Sequence, residues 1–112
     1  MVLIIYFSRG LDNILLNYNF KEVTTLVYLI TYELRKEDKD YDYLYEKIKS
    51  LGEWQRPLES TWFLDSELPI PEIKGELENF MDGGDKLFIS KITEDYDGCL
   101  IGSMWLWLSS HV

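Results

Sequence analysis

Val27-Tyr28-Leu29-Ile30-Thr31-Tyr32-Glu33-Leu34 is the stretch on which the fold turns. It is rich in β-branched and aromatic residues and almost continuously apolar. That is the pattern of a central strand with both faces buried, rather than an edge strand with one wet face. After a charged loop at residues 35–39, Asp40 is placed to cap a helix whose apolar residues Tyr41, Leu44, Ile48 and Leu51 share one face. Asp42 and Glu46 lie toward its start and Lys47 and Lys49 toward its end, as the helix dipole favours. Gly52 follows as a natural C-cap.

Working outward, residues 54–66 form a second extended region. Pro57 cannot donate to a sheet ladder, so it marks an edge or a break between two strands. Alternation puts Ser60, Trp62 and Leu64 on one face and Thr61 and Phe63 on the other. Pro69 and Pro71 close the region, and Pro71 suits the first turn of a second helix. Its apolar stripe is Ile73, Leu77 and Phe80 or Met81, and Gly75 costs it about 0.8–1 kcal/mol relative to Ala. Asp82-Gly83-Gly84-Asp85 is a turn, and residues 87–92 alternate as a further strand. The tail Met104-Trp105-Leu106-Trp107-Leu108 reads equally as a short strand or as a helical turn capped by Ser103, because periodicity cannot arbitrate over so few residues.

Residues 27–92 therefore read β-α-β-β-α-β, an α+β sandwich of ferredoxin-like order with two helices on one face of an antiparallel sheet. Residues 25–112 make up this domain and its tail, and residues 1–24 are an N-terminal extension, either loosely attached or serving as an extra edge strand or dimer element. A two-layer domain leaves the other sheet face bare, and Trp105 and Trp107 have no place in a single small core. A homodimer through that face or through a tail strand is the physical expectation.

Composition bounds the function. The chain has 112 residues, with 11 Lys and Arg against 20 Asp and Glu, a formal charge of −9. The first 24 residues are neutral, with Arg9 and Lys21 offsetting Asp12 and Glu22, so all of that charge falls on residues 25–112. Hydrophobic residues make up 46%, which excludes a disordered acidic segment. A chain this acidic, with Arg9, Arg35 and Arg56 as its only arginines, repels nucleic acid unless a local basic patch or a metal ion intervenes. It also suits docking onto a basic protein partner.

Cys99 is the only cysteine and His111 the only histidine. This excludes an intrachain disulfide, a thiolate metal cluster and HExxH chemistry, and it suits a reducing cytoplasm. Cys99 is expected to be buried or half-buried. The apolar run Val2-Leu3-Ile4-Ile5-Tyr6-Phe7 is too short to cross a bilayer and lacks the basic flank of a signal peptide, so no membrane partner is expected.

The order and spacing of Tyr28 to Arg35, Tyr41 to Gly52 and Leu58-Glu-Ser-Thr-Trp-Phe-Leu-Asp65 resemble a known group. These are the small ferredoxin-like proteins of the CRISPR-associated endoribonuclease and integration-adaptor family. The likeness is strongest to their short relatives labelled SinR-family proteins, and more distant to VapD-type toxin nucleases. The Gly83-Gly84-Asp85-Lys86-Leu87 turn and the Trp-Leu pair near the C-terminus fit as well, so the resemblance covers residues 26–110. It implies a homodimer acting on RNA or DNA phosphodiesters with Mg²⁺ or Mn²⁺. In nuclease members, an Asp after a Tyr at the end of the first strand binds the metal, one from each subunit. The matching position is Glu33 after Tyr32, and the family's second-strand Ser matches Ser60. Glu33 is thus the implied metal ligand and, with Ser60, the implied catalytic pair.

Glu extends its carboxylate one methylene farther than Asp, which shifts or abolishes a Mg²⁺ site that demands near-octahedral geometry. Non-catalytic adaptors also belong to the group, so a dimeric adaptor or regulatory module is the alternative function. Read from the residues alone, Glu33 is either a metal ligand or a strand-end carboxylate paired with Arg35 or Lys36. Arg35 is either a phosphate contact or a surface ion-pair partner. Trp62, alternating with Leu64, reads as core. The acidic residues Glu37, Asp38, Asp40 and Asp42 lack the glycine and spacing of a calcium loop and read as a solvated helix start.

Overall fold

In a computed structural model of the chain, described for residues 24–36 and 40–112, the order is strand, helix, two strands, helix, strand, helix. β1 is Leu26–Glu33, α1 Asp42–Ser50, β2 Glu53–Leu58, β3 Thr61–Ser66, α2 Ile70–Glu78, β4 Lys86–Lys91 and α3 Gly102–His111. The strands form one antiparallel sheet in the order β2-β3-β1-β4. This is the ferredoxin-like arrangement.

β1 is central because it has apolar side chains for both faces. Tyr28, Ile30 and Tyr32 point to the helices, with Ile30 flanked by Trp62 of β3 and Ile89 of β4. α1 adds Leu44 and Ile48 to this layer and α2 adds Ile73 and Leu77, the stripe positions of their helices. Trp62, Ile30, Leu44, Ile48, Leu64, Ile73 and Leu77 are fully enclosed. Polar groups within this layer are satisfied: Tyr28 Oη donates to the Leu68 carbonyl (2.8 Å), and Ser66 Oγ donates to that of Leu51 (2.7 Å).

The opposite face differs from the bare surface expected. The tail is a helix of this same chain: α3 lays Leu108 over Val27 and Phe63, and the Trp107 ring stacks on Phe63 at 6.2 Å. Trp105 packs in the same cluster and stacks on Tyr96 at 6.3 Å. Both tryptophans therefore have places within one protomer. Cover stops short of the Glu33 end of the sheet, where Phe88 is 61% exposed.

Local details sharpen the sequence reading. The α1 cap is Tyr41, while Asp40 Oδ1 accepts the Asp42 N–H (2.9 Å) one step earlier. Leu51, not Gly52, closes α1. Gly52 is needed for another reason, since an added Cβ would overlap the carbonyl oxygen of Asp65 on β3. The break near Pro57 is an irregular register between Gln55 and Leu58 on the edge strand β2. Pairing resumes at Leu58 with Thr61, so Glu59 and Ser60 form the hairpin turn and Ser60 lies there rather than on β3.

Nothing lies within 4 Å of where a Cβ at Gly75 would point. Gly75→Ala is therefore expected to stabilise the protein by about 0.5–1 kcal/mol through helix propensity and a less flexible unfolded chain. A higher urea midpoint with unchanged slope is the expected reading, and a lower midpoint would show hidden crowding at α2.

Candidate functional site

β1 runs out of the sheet at Glu33, and the β2–β3 turn lies beside its end. The Tyr32 N–H and the Thr31 hydroxyl both donate to the Ser60 carbonyl, each at 3.2 Å. With the start of α1, these segments enclose a cleft of about 470 Å³ whose lining includes Glu33, Lys36, Tyr45, Arg56, Glu59 and Ser60. The two residues singled out from the sequence thus line one cavity. Ser60 is exposed at its lip.

Glu33 is exposed and lies opposite Lys86 in the β1–β4 register. Among the described residues its carboxylate makes no hydrogen bond and no ion pair. The pairing expected with Lys36 does not form, because Lys36 Nζ meets Asp82 at 3.4 Å. The pairing with Arg35 does not form either; the Arg35 backbone N–H donates to Asp85 Oδ1 (2.8 Å) and its side-chain stem passes Gly84.

Asp85 fixes the surroundings. It also accepts from the Tyr41 hydroxyl (3.0 Å) and the Asp82 N–H (2.8 Å), tying the exit of β1, the start of α1 and the 82–85 turn together. A turn residue by sequence, it is a three-way tie in space.

Arg56 is the residue that sequence reasoning passed over. Its Nε and Nη2 donate to the Glu59 carbonyl at 2.9 and 2.6 Å, and Nη2 also reaches Tyr32 Oη at 3.4 Å. The guanidinium lies 4.5 Å from the Tyr45 ring centre and 4.8 Å from that of Trp62, a double cation–π contact. Among the described residues it has no carboxylate partner, and its Nη1 makes no hydrogen bond. A rigid, half-buried guanidinium with free donors is suited to an anion with paired oxygens, such as a phosphate. One clue existed in the chain: Trp54 and Arg56 are two apart on a strand and so share a face.

Beneath the cleft, Trp62 Nε1 donates to Tyr32 Oη (2.9 Å). Burial pushes the Tyr32 hydroxyl above its ordinary pKa, an effect opposed by the Trp62 hydrogen bond and the Arg56 charge, and burial does the same at Tyr28. Below pH about 10 both tyrosines stay protonated, folded or unfolded, and their contribution to stability is complete. Above it the unfolded chain releases protons that the folded core retains, so stability falls as pH rises. Alkaline unfolding steeper than in Tyr32→Phe is the expected result of denaturant melts between pH 9 and 12; equal slopes would remove Tyr32 from the effect.

A divalent ion such as Mg²⁺ takes six oxygen ligands in near-octahedral geometry. One protomer offers Glu33 and Glu59 at the cleft, and the described residues contain no group of three or more His, Cys, Asp or Glu able to hold a metal. The described residues of one protomer therefore do not supply a full protein ligand set for the ion. Cys99, expected to be covered, is exposed in the segment before α3. Trp62 is core, as its alternation with Leu64 indicated. Glu37 and Asp38 lie outside the described residues, as does the extension at residues 1–23. No helix among the described residues is long and apolar enough to cross a membrane.

No protein-family model matches the chain, and no curated protein sequence matches it significantly. Among solved structures, it is similar to a hypothetical protein, TT1823, from Thermus thermophilus, with a TM-score of 0.52 and 18% identity. The match covers 70% of this chain and 96% of that one. At that identity the likeness speaks for the fold alone.

Proposed function

We propose that this chain is an endonuclease-like protein that engages RNA or DNA phosphodiesters at the Glu33–Arg56 cleft. The observation that carries this reading is the meeting, in one cavity, of a carboxylate with no described partner and an immobilised guanidinium with free donors. In a chain of net charge −9, such a guanidinium is a local exception to the repulsive field. Arg56 holds a phosphate oxygen, and Ser60 borders the same oxygens from the lip.

Dependence on Mg²⁺ or Mn²⁺ belongs to this reading only as a property of a homodimer, in which a second Glu33 joins the first. Exposed Phe88, next to Glu33 and Lys86 in a shallow groove, supports an interface at that end of the sheet. The same exposed patch also favours the second reading, a non-catalytic adaptor that uses its acidic surface to dock a basic protein partner. A reducing cytoplasm suits the exposed, unpaired Cys99 in either case.

Arg56→Gln keeps much of the side-chain volume and removes the charge. With labelled single-stranded RNA and DNA oligonucleotides, it is expected to weaken binding about tenfold, the scale of one charge-assisted hydrogen bond. It should also flatten the salt dependence by about one phosphate contact. Anisotropy titrations at two salt concentrations measure both. Unchanged affinity and slope would remove Arg56, and the phosphate-binding reading with it.

A further inference from the structure

A second cavity lies on the other side of the sheet. It is a groove of about 490 Å³ between the sheet face and α3, walled by Leu29, Phe63, Ile92, Leu100, Trp105 and Leu108. Cys99 lies on its lining and Leu58 on its edge, 54% exposed. An apolar groove of this size accepts a few large side chains. Its charged rim is Lys91, Asp95 and Asp97, so its outer border is mainly acidic.

Two facts bear on which segment suits it. Residues 1–23 lie outside the described structure and carry six consecutive apolar residues, Val2-Leu3-Ile4-Ile5-Tyr6-Phe7. Leaving such side chains in water forfeits about 1.5–3 kcal/mol for each large one that could be buried. The extension joins the domain at Thr24, two residues before β1, and the β1 carbonyl of Val27 accepts the N–H of Ile92, a groove wall, at 2.8 Å. The chain thus enters beside the groove. Residues 8–23 can span up to about 50 Å when extended, more than the roughly 20 Å length of a typical strand. Charge separates this occupant from a second copy of the domain. A second copy brings the same acidic rim, whereas the stretch at residues 2–7 carries no charged side chain.

We propose that residues 2–7 of this chain dock into the groove between the sheet and α3 and complete the second core. The inference is independent of the nucleic-acid reading of the opposite cleft. Because Cys99 is the only cysteine and lines the groove, it reports the contact directly. In the full-length chain, Ile4→Cys and Ile5→Cys are oxidised with copper phenanthroline, alongside Asn13→Cys and versions also carrying Cys99→Ser. An intrachain disulfide in at least one of the first two variants, forming tenfold or more faster than with Asn13→Cys, is expected. Equal rates, or no bond, would overturn the proposal. An interchain bond would assign the groove to another copy's segment and overturn it too. A second variant guards against local misfolding: Leu3→Asp combined with Ile5→Asp should red-shift tryptophan emission, through Trp105, while far-UV circular dichroism stays unchanged. An unchanged emission maximum counts against docking.

Discussion

Trp62→Ala is expected to destabilise the protein by about 3–5 kcal/mol, the range for truncating a buried Trp. The indole is completely enclosed between the sheet and the helices. It stacks with Tyr45 at 6.1 Å, meets Trp54 at 5.3 Å and lies under the Arg56 guanidinium. It also donates to Tyr32, so truncation opens a cavity, removes a hydrogen bond and frees Arg56 at once. A domain of this size has about 5–15 kcal/mol of stability to lose. With about 4 °C or more per kcal/mol, the melting temperature should fall by about 12 °C or more. Trp54→Ala is the contrast, since that ring is partly exposed and should cost well under half as much. Comparable losses for the two variants, measured by urea titration, would mean that Trp62 is not the centre of the core.

The second large effect concerns Glu33. Its strand position, exposed end and lack of a described partner mean that Glu33→Ala leaves the fold intact, with a stability change within about 0.5 kcal/mol. If two copies of this carboxylate serve cleavage, the same change removes both and should reduce the rate at least a hundredfold. That combination, silent in stability and large in activity, separates a working residue from a structural one. Glu33→Asp adds a graded test. It introduces the shorter carboxylate that the resemblance implies at this position, and retained or increased activity is expected. Activity lost in Glu33→Asp as in Glu33→Ala would mean that carboxylate reach, not just charge, is essential at this position.

Much of the fold was legible because its central elements repeat one local signal over many residues. β1 is apolar on both faces, and α1 places Tyr41, Leu44 and Ile48 on one stripe, all of them buried. α3 was not legible. Its apolar residues surround the helix, and Leu106, in the middle of the run, is 73% exposed, so neither period dominates. Only the sheet face beneath it, through Val27 and Phe63, selects the helix. Ser60 misled for a related reason: alternation with Trp62 and Leu64 continued the strand on paper, while the pairing of Leu58 with Thr61 makes Ser60 part of the hairpin turn.

The site was half legible. Glu33 and Ser60 could be named from spacing and resemblance, and they do line one cleft. Arg56 could not, because what immobilises it comes from three separate segments: Tyr45 on α1, Trp62 on β3 and the Glu59 carbonyl in the turn. No short window of sequence contains that arrangement. Net charge had argued against nucleic acid globally, while the cleft depends on where a single guanidinium is held.

The most direct measurement is cleavage of labelled RNA and duplex DNA by the wild-type chain and by Glu33→Ala, with Mg²⁺, with Mn²⁺ and with chelator. Wild-type cleavage that requires the ion and falls at least a hundredfold in Glu33→Ala is the expected result. Cleavage unaffected by Glu33→Ala, or no cleavage of any substrate by the wild type with either ion, would contradict the nuclease reading.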